Sequence, residues 1–141
     1  MILFFSKTTF IISKKRILKN WLHDLVYLEK KKTGDINIIF CNDDQLSLIN
    51  KQYLSHDTLT DIITFDYSEK NILSGDIFIS TERVKENAVK YKYCFDEELR
   101  RVMAHGFFHL CGYKDRKTSD KLLMKQKEEE ALILFNTKYN Y

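Results

Sequence analysis

The stretch FDEELRRVMAHGFFHLCGYKD, Phe95 to Asp115, decides how the rest of the chain is read. At about 100° per residue on a helix, Leu99, Val102, Met103, Gly106 and Leu110 fall in a sector roughly 100° wide, the buried stripe of an amphipathic helix. Asp96 reads as the cap that starts this helix and Gly112 as the glycine that ends it. His105 and His109 are about 40° apart, along one edge of the stripe. Two imidazoles so placed can converge on one ion, walled by the core yet open to a cleft.

Gly106, beside the first histidine, costs the helix about 1 kcal/mol relative to alanine, which predicts a strand or backbone packed closely against it. The reversal at Gly112 brings Asp115 back toward the histidine edge, and a carboxylate is an acceptable third ligand for zinc and other divalent ions. Two imidazoles and a carboxylate leave a coordination position for water, which marks a catalytic rather than a structural site. Against this stands the ordinary alternative that a His-x3-His pair is structural or faces solvent. Cys111 is a rival ligand, but it lies about 200° round the helix from His109 and suits a small core position better. A metalloprotease helix of the H-E-x-x-H type needs a glutamate where this chain has Gly106, so that reading lacks its general base.

The 141 residues fit one domain, 1–141, and a composition 44% hydrophobic and 30% charged excludes a disordered chain. A net charge of +3 permits an RNA partner without demanding one. Three scattered cysteines with no CxxC pair argue against a zinc ribbon or a disulfide framework and for a reducing cytoplasm. MILFFSKTTFII makes a poor signal peptide and is too short to span a membrane; it reads as an early strand.

The remaining elements follow from periodicity. SKKRILKNWLHDLVYLEKKK, residues 13–32, places Ile17, Trp21, Leu25 and Leu28 at helical spacing, with Gly34 as its stop. DINIIFC, residues 35–41, is a β-branched strand. Asn42 or Asp43 caps a helix on which Leu46, Ile49 and Tyr53 share a face. A loop leads to a strand from about Ile62, and SGDIFIS forms another. Ser80 caps a helix aligning Val84, Ala88 and Tyr91, and a last helix runs from about Ser119 to Phe135. The order β-α-β-α-β-β-α-α-α predicts an α+β fold: a small mixed four-stranded sheet packed with about five helices, its metal site at the end of a helix.

HGFFHLCGYKD resembles the signature H-G-x-x-H-L-x-G-Y-x-H of the YbeY family of metal-dependent endoribonucleases. YLSHDTLTDIITF, SGDIFIS and the helix beginning STERV agree with that family in order and spacing, so the resemblance spans about Asp35 to Asp120. It implies a cytoplasmic protein with one divalent metal ion, zinc first. It also implies cleavage of single-stranded RNA in ribosomal RNA maturation and quality control at the small ribosomal subunit, with no DNA and no membrane partner. His105 and His109 match the first two metal ligands.

Two positions depart from the pattern: Asp115 stands where the family has its third histidine, and Leu54 where it usually has an arginine after the tyrosine. Aspartate adds negative charge, weakening the ion as a Lewis acid and opening the site to manganese or iron. Loss of the arginine removes a cation that would steady the transition state. His56, if protonated, is the first candidate to replace it, with Arg100, Arg101 or Arg116 as alternatives. Arg100, Arg101, Lys114, Arg116 and Lys117 are the candidate track for the RNA backbone; the other lysine runs read as solvated faces. Thr60 and Asp61 match a family T-D/N step, although the ordinary reading, that one of them caps a turn, comes first. Asp76 either orients a ligand histidine or closes a turn, and Tyr113 either stacks a base or packs on the glycine turn. Two other functions remain open: a metal-stabilised, ribosome-associated RNA-binding module with little or no catalysis, and a metal-dependent hydrolase of another substrate class.

Overall fold

A computed structural model describes residues 1–54 and 60–139, with the side chains of Tyr53 and Leu54 excepted. His56 lies outside the described residues. The elements are β1 (Ile2–Ser6), α1 (Lys15–Leu28), β2 (Lys32–Cys41), α2 (Asp43–Leu54), β3 (Ile62–Asp66), β4 (Ile72–Ser80), α3 (Thr81–Tyr91), α4 (Phe95–Leu110) and α5 (Thr118–Lys138). This is the expected α+β order. The sheet runs β1-β2-β4-β3, with β1, β2 and β4 parallel and β3 antiparallel to β4.

Alternation along the strands sorts side chains between two layers. Ile36, Ile38 and Phe40 of β2 and Ile77 and Ile79 of β4 face α1, α4 and α5 and join Trp21, Leu22, Met103 and Phe107 in the main core. On the other face Cys41, Leu46 and Ile63 form a smaller cluster under α2, with Phe65 and Phe78 against it. The expected stripe of α4 is buried, and Ala104, Phe107 and Phe108 are buried with it, because α4 has neighbours on several sides. Among the described residues no helix is long and apolar enough to cross a membrane.

Four expectations change. Helix α1 stops at Leu28, not at Gly34, because Lys30 takes the left-handed conformation (φ 59°) that turns the chain. Gly34 instead lies within β2, beside a register shift, where an added Cβ would stand 2.4 Å from Ser74 Oγ. The buried face of α1 is Leu18, Trp21, Leu22, Leu25 and Val26 while Leu28 is exposed; the rotation follows Trp21, whose Nε1–H donates to the Ala131 carbonyl at 2.9 Å. Helix α4 starts at Phe95, capped by the extended backbone of Cys94 rather than by Asp96, since Phe95 is drawn in against Phe10. Val84 and Ala88 of α3 are buried as expected, but Tyr91, on the last residue, is 56% exposed. Elsewhere the caps agree with the sequence: Asn42 Oδ1 accepts from Gln45 N and Ser80 Oγ from Arg83 N.

Candidate metal centre

The edge of α4 places His105 and His109 between core and solvent, their side chains 21% and 25% exposed. Strand approach explains Gly106: a Cβ there would come within 3.0 Å of Ile62 Cδ1 and 3.1 Å of Ile77 Cγ2. The glycine lets α4 settle onto β3 and β4, which brings the histidines to the end of the sheet.

The C-terminal end of α4 is a Schellman turn. Gly112, at φ +103°, donates to the His109 carbonyl at 3.0 Å, and Tyr113 N donates to the Phe108 carbonyl at 3.0 Å. The Tyr113 ring packs edge-on against Phe108, and its hydroxyl donates to Glu29 Oε1 at 2.6 Å. Tyr113 therefore packs on the turn, one of the two roles open to it from sequence. The turn aims the Tyr113 carbonyl back at His109, whose Nδ1–H donates to it at 2.9 Å. It also returns Asp115 to the helix edge, with Oδ2 at 3.3 Å from His105 Nε2 and 3.4 Å from His109 Nε2.

His105 is oriented from a different element. Its Nδ1–H donates to Glu128 Oε2 of α5 at 2.7 Å. Burial acts to lower the pKa of His105, but the Glu128 hydrogen bond and the charges of Glu128, Asp115 and Asp61 outweigh it, leaving the pKa raised. Glu128 does not stand out in the sequence, where it sits in an acidic run of α5 (Glu128 to Glu130) that looks like any solvated face. Beneath it Arg101 meets Glu129 at 2.5 Å, Glu98 at 3.4 Å and Glu128 at 4.0 Å. Burial pushes the Glu98 carboxyl up to about 7, against the pull of Arg101.

With both Nδ1–H groups engaged, each Nε2 presents a lone pair. The two stand 2.8 Å apart, with a carboxylate oxygen beside them. Such a cluster of acceptors needs a shared cation, a proton or a metal ion. Ligands about 2.0–2.1 Å from a tetrahedral zinc lie roughly 3.3 Å from one another, the separation of two of the three pairs here. Among the described residues His105, His109 and Asp115 form the one group of three whose ligand atoms all lie within 4.8 Å of one another. Both imidazoles carry the hydrogen-bond partner that metal-bound histidines require. Cys111 stands outside this group, and burial pushes its thiol up to about 12, so it holds its proton.

The other sequence candidates divide. A cavity of about 660 Å³ over the centre is lined by Asn50, Asp61, Asp66 and Arg116 together with the three candidate ligands. Thr60 caps the turn into β3 through its hydroxyl, while burial raises the Asp61 carboxyl within the cavity. Asp76 does not orient a histidine: strand alternation puts it on the opposite sheet face, where it accepts from Asn37 Nδ2 at 3.0 Å and lines a separate cavity of about 580 Å³. Of the candidate backbone track, Arg116 lines the central cavity and Lys114 and Lys117 are exposed. Arg101 is bound up with its carboxylates, and the Arg100 guanidinium stacks over Phe135 at 4.2 Å.

The chain matches the family model described as Endoribonuclease YbeY over residues 5–136. It is 51% identical to the Endoribonuclease YbeY of Flavobacterium psychrophilum, over 99% of this chain and all of that protein. It is 42% identical to that of Karelsulcia muelleri, over 99% of each. Among solved structures, that of TM1509 from Thermotoga maritima, determined in solution, superposes with a TM-score of 0.68 at 26% identity, covering 99% of this chain and 91% of the other. The signature of His105 to Asp115, the sheet that carries it and these full-length likenesses agree, and the chain belongs to the Endoribonuclease YbeY family.

Proposed function

We propose that the protein is a metal-dependent endoribonuclease, built as one domain over residues 1–141, with His105 Nε2, His109 Nε2 and Asp115 Oδ2 as metal ligands. Its ion in this reading is zinc, and its substrate is single-stranded RNA, ribosomal RNA of the small subunit in particular, in the cytoplasm. The observation that carries the proposal is the convergence of these three atoms with both Nδ1–H groups already engaged by Glu128 and the Tyr113 carbonyl.

A divalent ion held by His105, His109 and Asp115 would supply Lewis acidity toward a phosphoryl oxygen and lower the pKa of a bound water. The chain supplies the rest. Glu128 and the Tyr113 carbonyl fix the tautomer of each imidazole, so both Nε2 lone pairs point to one place. Asp115 contributes a negative charge in place of a third neutral ligand, which lowers the Lewis acidity and widens the range of ions accepted. Arg116, which lines the same cavity, is the proposed contact for non-bridging phosphate oxygens. His56 is the proposed second cation in the absence of an arginine at Leu54.

Metal-loaded protein incubated with single-stranded RNA and, separately, with casein tests the reading. Cleavage of the RNA alone, lost in a folded His105→Ala variant, is the expected result. RNA cutting by His109→Ala at the wild-type rate would show the metal mechanism to be wrong. Full metal occupancy in Asp115→Ala, measured by elemental analysis, would remove Asp115 from the ligand set.

A further inference from the structure

The candidate centre opens on two sides, and His105 and Asp115 border both. The side toward β3 is rich in carboxylates, with Asp61 and Asp66 beside Arg116. The side toward α3 and α5 is a groove of about 420 Å³ in which Tyr91, Tyr93, Lys121 and Lys125 stand with two further carboxylates, Glu98 and Glu128, that face Arg101.

Two aromatic rings share this groove with the candidate ligands His105 and Asp115. Tyr91 is 56% and Tyr93 39% exposed. Tyr93 is nevertheless held in place: the Arg101 guanidinium stacks on its ring at 4.6 Å and is itself anchored by Glu129 and Glu98. Opposite, Lys121 and Lys125 stand one turn apart on α5, both exposed, and neither ammonium is ion-paired among the described residues. Preset aromatic faces with free cations are how proteins hold unpaired nucleotides: bases stack and phosphates meet lysine.

We infer that this groove receives the unpaired nucleotide next to the scissile phosphate, its base against Tyr91 and Tyr93 and its own phosphate on Lys121 and Lys125. The inference rests on the endoribonuclease reading and adds to it the subsite that selects single strands, because a base inside a duplex cannot offer its face to these rings.

The test uses the full-length, metal-loaded protein and a short single-stranded RNA with one cleavage site. A matched set carries an abasic nucleotide at each position flanking the bond. With wild type, kcat/KM falls roughly fivefold or more when the abasic position is the one the groove takes. Tyr91→Ala and Tyr93→Leu lose a similar factor on intact RNA and become indifferent to that abasic position, while Tyr93→Phe, which keeps the ring, keeps the abasic sensitivity. The double variant Lys121→Gln/Lys125→Gln flattens the dependence of log KM on log salt by roughly 0.7 for each phosphate that a lysine no longer neutralises. Should Tyr93→Leu fail to fold, Tyr91→Ala, a change at an exposed ring, decides. Equal cutting of every abasic RNA by wild type, or abasic sensitivity retained in the tyrosine variants, overturns the groove assignment and leaves the nuclease reading intact. Failure of wild type to cut the intact RNA overturns both.

Discussion

His105 and His109 lie one turn apart on α4, yet they are held by different kinds of structure. His109 belongs to the helix end: its partner is the Tyr113 carbonyl four residues on, presented by the turn that Gly112 makes. His105 belongs to the contact between α4 and α5: its partner is Glu128, 23 residues on, set among Arg101, Glu98 and Glu129. One anchor is a backbone carbonyl four residues on, set by the turn that ends the helix. The other is a buried charge network that exists only once two helices dock. A metal pair on one helix can thus have one ligand secured by the turn that ends it and the other only by tertiary assembly.

Removing both candidate ligands strikes the two anchors at once. His105→Ala/His109→Ala is expected to lose the metal altogether, from about one ion per chain to none by elemental analysis, while the fold, built on the core side of α4, persists by circular dichroism.

The docked side has a pH signature in Glu98. Glu98 titrates near its ordinary 4.5 when unfolded and near 7 when folded, burial being the main cause. A carboxyl raised on folding binds its proton more tightly in the folded state. Stability is therefore full below about 4.5 and is lost as pH rises through about 7, by up to about 3 kcal/mol. Denaturant titrations from pH 4.5 to 8 should show this loss in wild type and its reduction in Glu98→Gln; parallel curves would mean that Arg101 compensates the Glu98 charge in full.

Two smaller changes separate the anchors from each other. Glu128→Gln weakens the hold on His105 Nδ1 and is expected to lower metal affinity 10- to 100-fold, measured by competition with a chelator, with little change in unfolding midpoint. Gly112→Ala does the reverse. An added Cβ meets nothing within 4 Å, but φ +103° is strained for alanine, so stability falls by about 1–2 kcal/mol. Metal affinity should stay near wild type while the turn holds. If Glu128→Gln costs stability and Gly112→Ala costs the metal, the division between the anchors is drawn the wrong way round.

Much of the local side was legible in the chain. The buried stripe of α4, the histidine edge, the close approach at Gly106 and the return of Asp115 all follow from helical geometry and from glycine at two positions. Each concerns residues within a few positions of one another, where backbone stereochemistry leaves few choices. The misplacements have the same root in reverse. Gly34 looked like a helix stop, but a lysine turned the chain earlier and the glycine served strand packing. Asp76 looked like a partner for a histidine, but pleat alternation sent it to the other sheet face. Tyr91 aligns with the buried Val84 and Ala88, but it is the last residue of α3 and stays exposed.

The order of elements, the helix that carries the histidines and the three groups able to meet at one ion were already written in the sequence, because periodicity, capping and a glycine turn are short-range. Only the folded chain settled that Glu128 orients His105, that Arg101 faces carboxylates and Tyr93, and that an aromatic groove and an acidic cavity meet at the same centre. Those pairings join α3, α4 and α5 across long stretches of chain. They depend on how helices stack on a twisted sheet, which no local spacing records.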